Sequence, residues 1–312
     1  MLNRLAGAFA VLSLATCVAA NAADDCQLKR LSSLDLKVEP GGRVEVPAII
    51  AGHPISLLVD TGSNHTMLTE GIVSELGLQK ELFAESAVSM WGGQRVTKYV
   101  NVDGMQLGRL VVGLSQFFIL PEPHGAGTDG LLGSDIMSRF DADFDFASAK
   151  LNLFSRNHCR GKVVYWTDDT QYAIVPFRKS PGYAAARGID FKKVMLTVTI
   201  DGREFQAGLD TGASFNSMNL DEAKSEFGLT PDSPGMVPVH RPSGTAYRYR
   251  FKTMSFGGVA VNDPEIELDP YAVNKMPGVA PTVLVGMPVL RQLHLYVAYE
   301  EEKLYVSAAG AH

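Results

Sequence analysis

The residues with the clearest claim to chemistry are two copies of one tripeptide, Asp60-Thr61-Gly62 and Asp210-Thr211-Gly212, each at the end of an apolar run. A Gly after the Thr lets the chain turn sharply with backbone N–H groups aimed at the carboxylate, and the Thr hydroxyl can bond across to a partner loop. A pseudo-two-fold axis would set Asp60 against Asp210. Two carboxyl groups that close cannot both ionise cheaply, so they share one proton and titrate as a unit. The ionised member can deprotonate a water as it attacks a peptide carbonyl. The protonated member can then hydrogen-bond the developing oxyanion, and a proton passes to the leaving nitrogen. This chemistry needs neither a metal nor a cofactor.

Such a pair requires two matching frames, and the sequence repeats one. Ala51-Gly52 through Gly62-Ser63 aligns with Asp201-Gly202 through Gly212-Ala213 at an offset of 150. The offset drifts to 151 where Glu75-Leu76-Gly77-Leu78 meets Glu226-Phe227-Gly228-Leu229. It reaches 153 where Leu131-Leu132-Gly133 meets Leu284-Val285-Gly286. The chain is a tandem duplication. In each half a β-branched run (Val44 to Ile50; Val194 to Ile200), a turn, and a second run predict a hairpin leading into the Asp loop. Short helices are predicted over Thr69 to Leu76 and Leu220 to Phe227, capped by Thr69 and Asn219, and over Ser134 to Arg139 and Pro288 to Gln292. With 30 Gly in 312 residues and no long helix-forming runs, the fold class is all-β. Turn residues at Thr167-Asp168-Asp169-Thr170 divide the chain into a leader over 1–22, an N-terminal lobe over 23–165 and a C-terminal lobe over 166–312.

On these residues the chain resembles the pepsin and retropepsin superfamily of aspartic proteases, especially bacterial secreted members with two retropepsin-like lobes. Asp60-Thr61-Gly62-Ser63 with Thr66 and Leu68 is similar to that family's loop pattern, and Asp129-Gly130-Leu131-Leu132-Gly133 to its second motif. The resemblance implies two pseudo-symmetric β-barrel lobes around a cleft, a catalytic pair Asp60 and Asp210, and supporting residues Thr61, Gly62, Ser63, Thr211 and Gly212. It implies a cross-brace between Thr61 and Thr211. Ser63 fits the family's donor to the outer carboxylate oxygen, whereas Ala213 leaves Asp210 without one, and Asn216 stands where a second Thr is expected. A flap over the cleft falls at Trp91-Gly92-Gly93, though Trp91 also reads as an ordinary half-buried aromatic. The implied activity is hydrolysis of a peptide or protein by a monomer; the alternative is a peptide-binding module that kept the fold and lost turnover.

The first 22 residues place Arg4 ahead of the apolar run Leu5 to Val18 and end on Ala20-Asn21-Ala22, the pattern of a cleavable secretory leader and a periplasmic destination. The run is shorter than the roughly 20 apolar residues a membrane span takes. A second reading attaches lipid at Cys17. Two cysteines remain, Cys26 and Cys159, which pair in an oxidising compartment or stay as buried thiols. A net charge of −6 argues against nucleic-acid partners. The seven His are scattered without metal-ligand spacing, so no metal site is expected. Gly125 to Gly130 matches a dinucleotide fingerprint, but Pro121 and Pro123 break the strand-to-helix turn it needs, so no cofactor is expected. The alternating stretch Asp141-Ala142-Asp143-Phe144-Asp145-Phe146 reads as a strand with its carboxylates on a solvated face.

Overall fold

The computed structural model describes residues 26–39, 41–83, 88–89, 95–120, 127–168, 171–179, 193–241, 244–270 and 281–311. The leader, the alternative at Cys17 and the flap candidate Trp91-Gly92-Gly93 lie outside them. The molecule is all-β; the described residues form two ten-stranded sheets, one per half, a six-stranded sheet and a short two-stranded pair.

Each large sheet is built on the predicted hairpin. Val44–Ile50 pairs with His53–Val59, and Val194–Ile200 with Arg203–Leu209, both antiparallel. Val44, Val46, Ala48 and Ile50 all point inward, as a period of two requires. The two-residue turns carry positive φ at both positions, Ala51 with Gly52 and Asp201 with Gly202, the twist that suits a tight hairpin. A third strand runs parallel to the second strand of each hairpin: Gly130–Leu132 beside His53–Val59, and Val283–Val285 beside Arg203–Leu209.

Among the described residues there are four short helices, two of them with a side-chain cap. In α1 (Glu70–Glu75) the Thr69 hydroxyl accepts from Ile72 N, and in α3 (Leu220–Phe227) Asn219 accepts from Asp221 N. The other two, α2 (Ser134–Met137) and α4 (Met287–Leu290), start directly after Gly133 and Gly286.

The expectation of barrels is corrected. Each ten-stranded sheet is an open ladder; the first ends on Leu110–Val112 at one edge and Lys80–Leu82 at the other. Closure needs the first and last strands to exchange hydrogen bonds, and these two edges do not pair with each other.

The six-stranded sheet joins the halves. Its order is Arg30–Asp35, Lys150–Phe154, Asp141–Asp145, Leu293–Ala298, Lys303–Ala308, Ala173–Pro176. At its centre Asp143 pairs with Tyr296, two residues equivalent by the 153 offset, so the pseudo-two-fold axis passes between them. The solvated face expected for Asp141 and Asp143 is also corrected: both are buried, at 1% and 0% exposure. Asp143 accepts from Asn152 Nδ2 at 2.8 Å and Tyr165 OH at 2.6 Å, and lies 2.6 Å from His294 Nε2. Asp141 lies 2.6 Å from His158 Nε2 and accepts from Tyr299 N at 3.0 Å. Trp166 stacks flat on His294 at 4.2 Å and donates to Ser307 Oγ. Tyr165 and Trp166 thus cover a face that alternation alone leaves open. Beside this sheet Cys26 and Cys159 form a disulfide spanning 133 positions. Among the described residues no helix is long and apolar enough to cross a membrane.

Candidate active site

Both Asp residues sit one position beyond a hairpin strand and are pinned by the parallel strand beside it. Asp60 N donates to Leu132 O and Asp210 N to Val285 O, each at 3.0 Å. The two loops then interlock. Thr61 N donates to Thr211 Oγ1 at 3.1 Å and Thr211 N to Thr61 Oγ1 at 3.0 Å. Each hydroxyl in turn donates a hydrogen bond to the opposite strand, Thr61 Oγ1 to Leu209 O at 2.8 Å and Thr211 Oγ1 to Val59 O at 2.7 Å. Four hydrogen bonds thus satisfy six buried polar groups reciprocally, and they form the cross-brace between Thr61 and Thr211.

The brace brings the carboxyl groups together. A Cβ on Gly62 would lie 2.4 Å from Asp210 Cγ, and one on Gly212 would lie 2.6 Å from Asp60 Cγ. Each Gly therefore leaves room for the other half's carboxylate, which no larger residue could do without moving it. Backbone amides reach the same oxygens: Ser63 N donates to Asp60 Oδ1 at 2.8 Å and Gly212 N to Asp210 Oδ1 at 2.9 Å. The Ser63 hydroxyl does not serve as the outer donor expected of it. It donates to His65 O at 2.7 Å instead, so on this count Ser63 and Ala213 are alike.

Behind each loop a glycine at a helix start packs against backbone. A Cβ on Gly133 would meet His65 C at 2.4 Å, and one on Gly286 would meet Phe215 O at 2.2 Å. Gly133 N donates to Thr66 Oγ1 at 3.1 Å, and Gly286 N to Asn216 Oδ1 at 3.0 Å. Asn216 thus does the work of Thr66 with a different acceptor, which explains the departure from the repeat. Asp135 in α2 accepts from Thr66 N and Oγ1 at 2.9 and 2.7 Å.

Burial dominates the electrostatics. It pushes the Asp60 carboxyl up to about 7, aided by the charge of Asp210, while Lys193 and the Ser63 N–H pull it back. Burial also raises Asp210, opposed by Lys193 and the Gly212 N–H. One proton held between two such groups is the arrangement that can both activate a water and donate to an oxyanion.

Three ionisable side chains on or against the elements around the two Asp loops are not among the site residues expected from the sequence. Lys193 acts electrostatically on both Asp residues. His65, edge-on to Phe118 at 4.7 Å, is held below its ordinary value by burial, with Asp135 opposing. The 150 offset pairs His65 with Phe215, whose ring instead carries the Arg241 guanidinium at 4.4 Å. The walls on the two sides of the pair therefore differ in chemistry. For Lys193 a signal was available, since the same offset sets it opposite Arg43, another basic residue just ahead of a hairpin.

The flap candidate is described only at its base, where Val88–Ser89 pairs with Arg95–Val96. In the second half Val237–Arg241 pairs with Gly244–Arg250, with register running up to Arg241 and Gly244.

The family model for aspartyl proteases matches the chain twice, over residues 46–136 and 196–289. Each match holds one Asp-Thr-Gly, one parallel third strand and the start of the helix behind it. The chain belongs to this aspartyl protease family. No curated protein matches it.

Proposed function

We propose that the protein is an aspartic endopeptidase in which Asp60 and Asp210 activate water against a peptide bond. The observation that carries the reading is the reciprocal fit of each glycine beneath the opposite carboxylate, which serves to set two carboxylates side by side. In the proposed cycle the ionised Asp takes a proton from the water as it attacks the carbonyl carbon. The protonated Asp donates to the carbonyl oxygen as charge develops, and a proton is passed to the leaving nitrogen. Thr61 and Thr211 hold the two loops in register, and the Ser63 and Gly212 amides stabilise the ionised state. Trp91, Gly92 and Gly93 are proposed to close over an extended peptide. The leader pattern and the Cys26–Cys159 disulfide support export to an oxidising compartment such as the periplasm.

The test is cleavage of a denatured peptide library from about pH 3.5 to 7.5, with wild type beside Asp60→Asn and Asp210→Asn. Cuts made by the wild type and lost in each single variant are expected. Cuts that survive either substitution would overturn the shared-proton mechanism, and no cuts by the wild type at any pH would overturn the enzymatic reading.

A further inference from the structure

The parallel ladder that follows each Asp loop sets one residue at the same point in both halves. Met67 pairs with Phe118 in the first half, and Ser217, its counterpart at the 150 offset, pairs with Glu267 in the second. Phe118 packs edge-on against His65, with the Phe83 ring at 5.4 Å, so the first half fills this place with aromatic surface. The second half puts a carboxylate there. The Glu267 side chain is only 5% exposed and takes two guanidinium groups, from Arg241 and, at 3.4 Å, from Arg248. The Arg241 guanidinium lies in turn over the ring of Phe215, in the loop that follows Asp210, at 4.4 Å. Taking an ion pair out of water is expensive, and well-packed apolar residues serve stability at least as well. Phe118 shows that the ladder is built without one. What the ion pair adds is a cation held on the wall of the second Asp loop.

We propose that Arg241 selects an acidic side chain in a peptide bound across the Asp60–Asp210 pair, on the second-half side of it. Arg241 ends the strand Val237–Arg241 and pairs with Gly244 across the second-half hairpin. Its counterpart at the 151 offset is Met90, next to the flap candidate. Glu267 does not cancel its charge. Arg248 and Arg250 also pair with Glu265, at 3.1 and 3.5 Å, so three arginines share two glutamates and one positive charge is left over. A guanidinium has more donors than one carboxylate uses, and a quarter of the Arg241 side chain is exposed, so its fork can take a second carboxylate. Phe215 lies a short way along the loop from Asp210, and an extended peptide advances about 3.3 Å per residue. The selected side chain therefore lies a few residues from the bond over the pair. The matching place on the first-half side holds Met90 in sequence and Phe118 against His65 in space, so the preference belongs to one side. Its link to a cut bond rests on the protease reading above, whereas the selection of a bound peptide does not.

The experiment offers a denatured peptide library to two forms of the protein. Asp60→Asn retains peptides that are then sequenced, which reads binding without turnover, and the otherwise wild-type protein gives the residues flanking each cut. Asp and Glu are expected in the retained pool about tenfold above Asn and Gln, the effect of one charge-assisted hydrogen-bonded pair. In the cut peptides they should fall at one position on one side of the bond. Bulk attraction cannot produce this result, because a chain of net charge −6 favours basic peptides. Arg241→Gln with Glu267→Gln removes the cation without stranding a buried carboxylate and should erase the enrichment. Arg241→Met with Glu267→Phe, which copies the first half, provides the same reading if that variant does not fold. A merely structural Arg241 would weaken every peptide alike and leave the preference where it was. A retained pool without acidic enrichment, or an enrichment that survives in either folded neutral variant, overturns the proposal. An enrichment that depends on Arg241 in a protein that cuts no peptide would support the assignment while sinking the protease reading.

Discussion

Two carboxyl groups held above their ordinary value are a liability to the fold, and their pH dependence has a definite sign. Near pH 7 the native pair still holds a proton that the unfolded chain, titrating near 3.8, has already released. The native state therefore binds more protons than the unfolded state between about pH 4 and 7, and stability falls as pH rises through that window. Removing one carboxylate relieves the cost. Asp60→Asn should be more stable than wild type at pH 7 by about 2 kcal/mol, with the gain shrinking toward pH 4. Urea denaturation at several pH values reads this directly; an equal gain at pH 4 and 7 would contradict it. At this scale the sequence was most legible where chemistry and repetition coincide, in Asp60 and Asp210. Ser63 supports Asp60 through its backbone N–H, while its hydroxyl takes His65 O in place of the expected carboxylate oxygen, a choice between acceptors that only the fold decides.

The loops act as elements because each one completes the other. Thr61→Val keeps the shape but strands Thr211 N and Leu209 O without their partners inside the molecule. Buried unsatisfied groups cost about 1–3 kcal/mol each, so the variant should lose about 2–4 kcal/mol in chemical denaturation. Asn216→Ala should behave in the same way on a smaller scale, since Gly286 N loses its acceptor. A Thr61→Val protein as stable as wild type would show that the brace is ornamental. Hairpins and helices could be read from sequence because their signals are local: Asp201-Gly202 for a tight turn, Thr69 and Asn219 for caps. Barrel closure could not, because whether Leu110–Val112 meets Lys80–Leu82 is decided between distant strands. Alternation in Asp141 to Phe146 gave two faces correctly but not which one would be covered, since the cover comes from Tyr165 and Trp166 further along the chain.

Across the whole molecule the halves meet in the six-stranded sheet, and the polar contact at its centre is His294 with Asp143. Removing one partner of a buried pair leaves the other uncompensated, which costs about 3–5 kcal/mol. His294→Ala should therefore lower stability by about 3 kcal/mol, part of it from the lost stacking of Trp166. Denaturant unfolding would show it, and a change below about 0.5 kcal/mol, within the range of ordinary surface substitutions, would mean that Tyr165 and Asn152 alone satisfy Asp143.

The axis through this sheet has a consequence for how the halves associate. By the 153 offset Asp141 occupies in the first half the place that His294 holds in the second. A homodimer of first halves would therefore bring a second Asp141, in place of the imidazole, against Asp143, burying like charges at its centre. The present junction is asymmetric, with an imidazole of the second half against a carboxylate of the first. At this contact each half supplies what the other lacks, an imidazole against a carboxylate, so separately expressed halves are expected to bind each other in preference to a second copy of the first half.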